Sequence, residues 1–238
     1  MSQRVIIRLI PVNIFILSLL AGWLAISAVR ALISDAPALI QVGGATAGNQ
    51  SVHVAAAAAA VAAGDLEAAA TAAGLSPVFT QEVKYWAPQI SAWAAIYQLD
   101  PNLIATVMQI ESCGAPGVVS SSGAQGLFQV MPFHFTEGES MQDPETNAAR
   151  GMAYLALGLQ RAAGNVGLAL AGYNGGHSQI GKDSSLWPAQ TQRYWYWGTG
   201  IYDEAKAGGA QSTRLQEWLN AGGASLCRTA ATQIGLAQ

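Results

Sequence analysis

Glu111 closes the stretch LDPNLIATVMQIE as a carboxylate among apolar residues, in a chain where only 11% of residues are charged. Counting by four from Leu103 through Val107 reaches Glu111, so helical geometry puts it on the inward-facing stripe. Burial disfavours the charged form of a carboxyl group and raises its pKa, as a general acid working near neutral pH requires. Two structural roles compete: a helix-end glutamate turned to water, or an ion pair with Arg150 or Arg161. Immediately after it comes a run of Gly, Ser and Ala, from Cys113 to Gly126. Such a polar loop beside the carboxyl group is the setting a binding site needs.

Other chemistries find less support. His53, His134 and His177 are scattered and lack metal-ligand spacing beside carboxylates or cysteines, so no metal site is expected. Lys+Arg 11 against Asp+Glu 14 leaves a formal net charge of −3, without the basic face of a nucleic-acid binder. No Gly-rich phosphate loop followed by Lys-Ser/Thr is present, and no organic cofactor is implied. Cys113 and Cys227 are the only cysteines. They are either a disulfide or two separate buried thiols, and the compartment decides which reading is favoured.

The elements that would position these residues can be read along the chain. From Leu9 to Val29, LIPVNIFILSLLAGWLAISAV carries no charge and as a helix would span about 30 Å, one bilayer core. Arg4 and Arg8 precede it, which keeps the N-terminus cytoplasmic. Residues 1–33 therefore read as a signal anchor or transmembrane segment, with cleavage near Val29-Arg30-Ala31 as the competing reading. In both cases the rest is exported, single-pass and membrane-held in the first case and secreted in the second. An oxidising compartment permits the Cys113–Cys227 bond. Residues 34–79 read as a low-complexity, Ala-rich helical spacer ended by Gly74 and Pro77. From residue 80 the composition changes. Asp100 before Pro101 and Asp143 before Pro144 are helix starts. VGLALAGYNGG is a short apolar helix stopped by glycines. Two more helices follow Ser212 and Gly222-Gly223. No convincing alternation of strands is seen, so the fold class is mainly α.

Four ordered blocks then give a specific resemblance. Glu111, Ser112, Ser120, Gly123, Ala124, Gly126, Leu127, Gln129, Met131 and Pro132 stand at the spacing of the soluble lytic transglycosylase family, without an insertion. Asn147, Gly151, Tyr154 and Leu155 match its second block. ALAGYNGG, from Ala169 to Gly176, matches the third, and Pro188, Thr191 and Tyr194 the last. The chain resembles that family over residues 80–200. The resemblance implies a lysozyme-like catalytic domain there, with residues 201–238 as a C-terminal helical extension outside it. Cys113, Gly114 and Ala115 stand where the family commonly has an aromatic residue and an Asn. Gln190 replaces a Glu, and His177 a Pro.

What the resemblance implies is cleavage of peptidoglycan glycan strands at the bond between N-acetylmuramic acid and N-acetylglucosamine, with Glu111 as single acid and base. The sugar's own C6 hydroxyl closes a 1,6-anhydro ring, so no second carboxylate is needed. Ordinary glycosidases require one, and here Glu137, Glu139 and Asp143 share one loop with no evident role. By the same resemblance Ser120 and Gln129 would bond the glycan or hold Glu111. Tyr173 and Asn174 would lie beside the acetamido group, and Tyr194 would orient the acid. Trp187, Trp195, Tyr196 and Trp197 read first as core packing, and second as a platform for sugar rings. A hydrolytic muramidase and a catalytically silent wall-binding module are the alternatives, and the intact Glu111 argues against the silent one.

Overall fold

In a computed structural model, which describes residues 64–236, helices carry nearly all of the regular structure. A helical segment, 64–72, leads into α1 (Gln81–Lys84), α2 (Ala87–Tyr97) and α3 (Pro101–Glu111). A long loop follows, then α4 (Pro144–Arg161), α5 (Val166–Gly175), α6 (Ala189–Lys206), α7 (Thr213–Trp218) and α8 (Ala224–Ile234). Among the described residues there is no strand, only isolated bridges pairing Gln125 with Val119 and Val130. The fold is mainly α, as the sequence implies.

The helix starts follow their sequence signals. Asp100 accepts from the Asn102 amide at 2.8 Å and caps α3, with Pro101 in the first turn. Asp143 accepts from Thr146 at 2.9 Å and caps α4, and Ser212 accepts from Leu215 at 2.9 Å and caps α7. Pro88 sits in the first turn of α2, where its missing N–H costs nothing.

Helix α3 is buried on every side from Asn102 to Gln109, rather than along one stripe. A helix apolar all round belongs at the centre of a fold. Packed against it are α1, α2 and α6. Leu103, Ile104, Val107 and Met108 meet Trp93, Phe128, Met152 and Leu170 in one core. That core begins inside the stretch read as spacer: Ala70, Leu75, Val78 and Phe79 are buried in it. Asn102 fixes this lead-in by accepting from the Ser76 amide at 2.7 Å and donating to the Gly74 carbonyl at 3.1 Å. At the other end of the chain Leu215, Trp218, Cys227 and Ala230 join the same core. The apolar segment of residues 1–33 and most of the Ala-rich stretch lie outside the described residues. No helix among those described is long and apolar enough to cross a membrane.

Candidate active site

Glu111 occupies the last turn of the central helix α3, and the chain breaks there for reasons visible in the backbone. Cys113 and Gly114 both take positive φ, 52° and 86°. A Cβ on Gly114 would press on the Trp86 ring and the Glu82 carbonyl, and the Trp86 indole donates to the Gly114 carbonyl at 2.9 Å. Only glycine fits there, which accounts for the small residues after Glu111. Ser112 ties the break to the next segment, donating to the Leu127 carbonyl at 2.7 Å and accepting from the Gly114 amide at 3.0 Å.

Below this turn Cys113 and Cys227 form a disulfide, with Cα atoms 4.9 Å apart. It fastens α8 directly under the end of α3. The Gln109 side chain donates to Cys113 Sγ at 3.0 Å and accepts from the Thr80 amide at 3.2 Å. Helix α8 also packs on α1, so the C-terminal segment supports the base of the acid's helix. Glu82 lies beside the two sulfurs, the one such grouping of potential metal ligands among the described residues. Both sulfurs are committed to each other, so they are not thiolate ligands.

The electrostatics of Glu111 are those of a carboxyl group in a protein-lined niche that still opens to solvent. Its surface is partly exposed, yet removal from water pushes its pKa from the usual 4.5 up to about 8. The Tyr194 hydroxyl opposes this shift more weakly. That hydroxyl is buried and makes no full hydrogen bond, so the contact is loose in the resting protein. Neither cation proposed as a partner reaches Glu111. Arg150 pairs with Glu139 on the loop before α4, and Arg161 lies 3.3 Å from His177 Nδ1. No other carboxylate perturbs Glu111. Glu139 is held down to about 2 by Arg150 and the Thr136 amide, Asp143 is the cap of α4, and Glu137 is exposed.

Tyr173 and Asn174, at the end of α5, line a recess of about 270 Å³ together with Gln129, His134 and Tyr154. Glu111 does not itself line this recess, but it is near enough to Tyr173 for a charge on it to raise the Tyr173 pKa, so the two are neighbours. Its hydroxyl donates to the Phe128 carbonyl at 2.8 Å. Asn174 accepts from Thr191 at 3.2 Å, linking the ends of α5 and α6. Gln129 sits at φ 46° and donates to the carbonyls of Val118 and Gly126, at 3.1 and 3.0 Å. Its amide nitrogen is thus committed to the loop, while its carbonyl oxygen is left over. Ser120 is different: its hydroxyl accepts from the Ala124 amide at 3.0 Å and closes its own turn.

Asn147 is the keystone of this loop, and a block pattern alone does not reveal that. It is fully buried, accepts from the Phe128 amide at 2.9 Å, and donates to the carbonyls of Gln125 and Met141, each at 2.8 Å. Gly126, at φ 75°, lies so close that any side chain there would collide with Asn147. His134 and Phe133 were also not legible as lining residues. Their one sequence signal is that they directly follow Pro132. Rings of Phe133, His134, Tyr154 and His177 lie in a row, with His177 stacked on Tyr154 at 3.9 Å. Asn147, Gly151 and Tyr154 recur at spacings of four and three, the signature of a single helix face.

A sequence profile for the transglycosylase SLT domain matches residues 88–195. A transglycosylase of Enterobacteria phage PRD1 is 40% identical over 114 residues, 46% of this chain and 40% of that protein. An endo-type membrane-bound lytic murein transglycosylase A of Klebsiella pneumoniae is 36% identical over 87 residues, 30% of this chain and 42% of that protein. A membrane-bound lytic murein transglycosylase C of Yersinia pestis is 33% identical over 113 residues, 39% of this chain and 32% of that protein. The chain thus spans about two fifths or less of the length of these relatives. Among solved structures, an inactive variant of lytic transglycosylase Slt from Pseudomonas aeruginosa matches at 22% identity and a TM-score of 0.38, over 63% of this chain and 24% of that one. The matched interval contains Glu111, the loop, the recess and Tyr194, so the region of the candidate site is the part of the chain that is similar to transglycosylase SLT domains.

Proposed function

We propose that this protein is a peptidoglycan lytic transglycosylase of lysozyme-like fold, with Glu111 as its single acid and base. The observation that carries the reading is a lone carboxyl group, free of cations and other carboxylates, whose pKa burial lifts to about 8. At neutral pH it is protonated and able to donate. Protonation of the glycosidic oxygen breaks the bond to the N-acetylmuramic acid ring as positive charge develops there. The resulting Glu111 carboxylate then takes the proton of the C6 hydroxyl, whose oxygen closes the 1,6-anhydro ring. One proton leaves the acid and one returns, so the cycle closes without water.

Supporting roles follow from the contacts. Tyr194 steadies the Glu111 carboxylate once it forms. Tyr173 and Asn174 form the floor of the recess, and the Gln129 carbonyl oxygen faces a bound sugar. Ser120 acts through the shape of its turn. We infer that the domain works outside the cytoplasm, held through the apolar segment of residues 1–33, with the glycan strand as its partner. Membrane-bound names among the relatives support that placement.

Product analysis tests the reading. Mass spectrometry of fragments released from purified peptidoglycan should find 1,6-anhydromuramic ends. Reducing ends as the main product would establish a hydrolytic muramidase, and no release at all would leave a binding module.

A further inference from the structure

Trp195 and Tyr196, on the outer side of α6, and Trp187, just before that helix, line a recess that shares no residue with the one beside Tyr173. Consecutive side chains on a helix are turned by about 100°. Tyr194 points inward, so the next two residues are carried round toward solvent. Trp195 is 38% and Tyr196 45% exposed, against 5% for Tyr194. Rings left in water forgo the stabilisation that burial would bring, and clustered exposed rings mark binding surfaces.

These rings are also held still. Trp187 is buried, donates its indole N–H to the Gln179 carbonyl at 2.9 Å, and meets Trp195 edge-on with centroids 6.0 Å apart. One face of Tyr196 is covered by the Arg214 guanidinium at 3.5 Å, and its hydroxyl donates to Glu217 at 3.1 Å. Fixing a binding surface in advance lowers the entropy lost when a ligand arrives. Between the rings lies a recess of about 660 Å³, which Ser184, Gln192 and Arg193 also line. A second recess of similar size shares Ser184, Trp187 and Trp195 with it, so the two meet along the outer side of α6.

We propose that this groove is a second carbohydrate-binding site, separate from the Glu111 recess, for a strand of N-acetylated sugars that carries carboxylates. Flat, immobilised aromatic faces suit the C–H faces of pyranose rings. The Gln192 amide nitrogen donates to the Trp187 carbonyl at 2.9 Å, which leaves its oxygen to accept from a sugar hydroxyl or acetamido N–H. Arg193 is the only charged side chain lining the first recess, and it makes no ion pair with another described residue. Its guanidinium fork is therefore open to a carboxylate, which it matches in shape as well as charge. A two-part groove suits a linear chain better than a compact ligand. The choice of a carboxylate-bearing glycan rests on the proposed function; the aromatic platform itself does not.

The test uses the full chain, with Trp195→Ala and Arg193→Glu as separate variants, each checked for an unchanged melting profile. Co-sedimentation with insoluble purified peptidoglycan reads the groove without requiring catalysis. Turnover of a short soluble glycan fragment reads the Glu111 recess alone. Each variant should weaken sedimentation by about tenfold, the usual cost of losing an anchoring aromatic or arginine, while turnover of the short fragment stays at wild-type level. Unchanged sedimentation of both variants overturns the groove. Equal losses on the insoluble polymer and on the short fragment overturn its separation from the active site. Retention on neutral chitin that matches peptidoglycan and ignores Arg193→Glu overturns the carboxylate. A chain that cleaves nothing but sediments as described sinks the proposed activity and leaves the groove standing.

Discussion

The Tyr194 hydroxyl acts on the Glu111 carboxyl group while making no full hydrogen bond of its own. A buried, unsatisfied hydroxyl costs folding free energy, on the order of 1–3 kcal/mol. It persists here beside the carboxyl group whose charge comes and goes in the proposed mechanism. Resting enzymes often hold such contacts long, tightening them only when substrate or a developing charge arrives. Under the proposed mechanism, Tyr194 is the group that would bond Glu111 in its ionised form, after the proton has left.

The pH dependence of Glu111 gives the first prediction. Its pKa in the fold, about 8, lies above the ordinary 4.5. The protonated acid therefore persists through neutral pH, and kcat/KM should fall only as pH rises through about 8. An exposed glutamate would lose activity near pH 5 instead. The same shift acts on stability with a definite sign. Between the two pKa values the folded protein holds a proton that the unfolded chain has released. The contribution is complete below pH 4.5 and is lost as pH climbs to 8. Glu111→Gln should match wild type in melting temperature at pH 4.5 and exceed it at pH 8.5. Its lytic rate should fall by ~10²–10⁴, the loss typical of a missing general acid. Turbidity clearing and thermal melts across this range check both halves.

Tyr194→Phe separates positioning from packing. The ring stays in the core and only the hydroxyl goes. Because that hydroxyl lowers the Glu111 pKa, its loss should move the basic limb of the pH–rate profile upward. The rate should drop by about tenfold or more, since stabilising charge at the acid is a transition-state effect. Stability should hold or rise slightly, because a buried unsatisfied group has been removed. A variant with an unshifted pH profile and a lowered melting temperature would show that Tyr194 is only structural.

The sequence carried the helix starts and the place of Glu111 at the end of one helix, and the reasons are local. Asp100-Pro101 and Asp143-Pro144 are capping signals that act over three or four residues, and both hold in the structure. Counting along one helix brings Glu111 to its last turn, but the enclosure of that turn comes from the elements packed around α3. What counting cannot supply is contact between distant segments. Nothing local in Asn147 says that it binds the backbone at Gln125 and Phe128, or in Gln109 that its amide meets a cystine. Leu75 to Phe79 read as spacer because a short apolar run after an Ala-rich stretch has no period of its own. It is the core around α3 that claims them. Trp187 and Trp195, adjacent in the reading of the aromatic cluster, part company: one is buried and the other faces solvent.

Asn147→Ala tests the loop that carries Gln129. Three backbone groups lose their partner at once in a fully buried place. The expected cost is about 2–4 kcal/mol, since each orphaned buried group bears its desolvation penalty. Glu139→Gln, by contrast, breaks a half-buried contact between the loop and Arg150 and should leave cleavage close to wild type. Urea denaturation of the first and product assays of the second measure these effects. If instead Glu139→Gln abolished cleavage, a second carboxylate would be at work and hydrolysis would return as the reading.

The Cys113–Cys227 disulfide should join stability to activity. It closes a sequence separation of 114 residues, and constraining the unfolded chain over such a loop contributes roughly 4–5 kcal/mol in the chain-entropy model. The position makes the second effect. Cys113 lies two residues beyond Glu111, at positive φ, and its sulfur is one of two met by the Gln109 amide. Reduction frees α8 from the end of α3 and lets the turn at Cys113 and Gly114 relax, so the acid loses its fixed direction. A displacement of about 1 Å in a reacting group can lower a rate 10²-fold. Reduced protein, kept below its lowered melting temperature, should therefore show a smaller kcat and a nearly unchanged KM, because Tyr173, Asn174 and Gln129 are held by other bonds. Cys227→Ala should reproduce both effects without reductant. Full kcat in a folded, reduced sample would show that the bond supports the tail alone and has no hold on the acid.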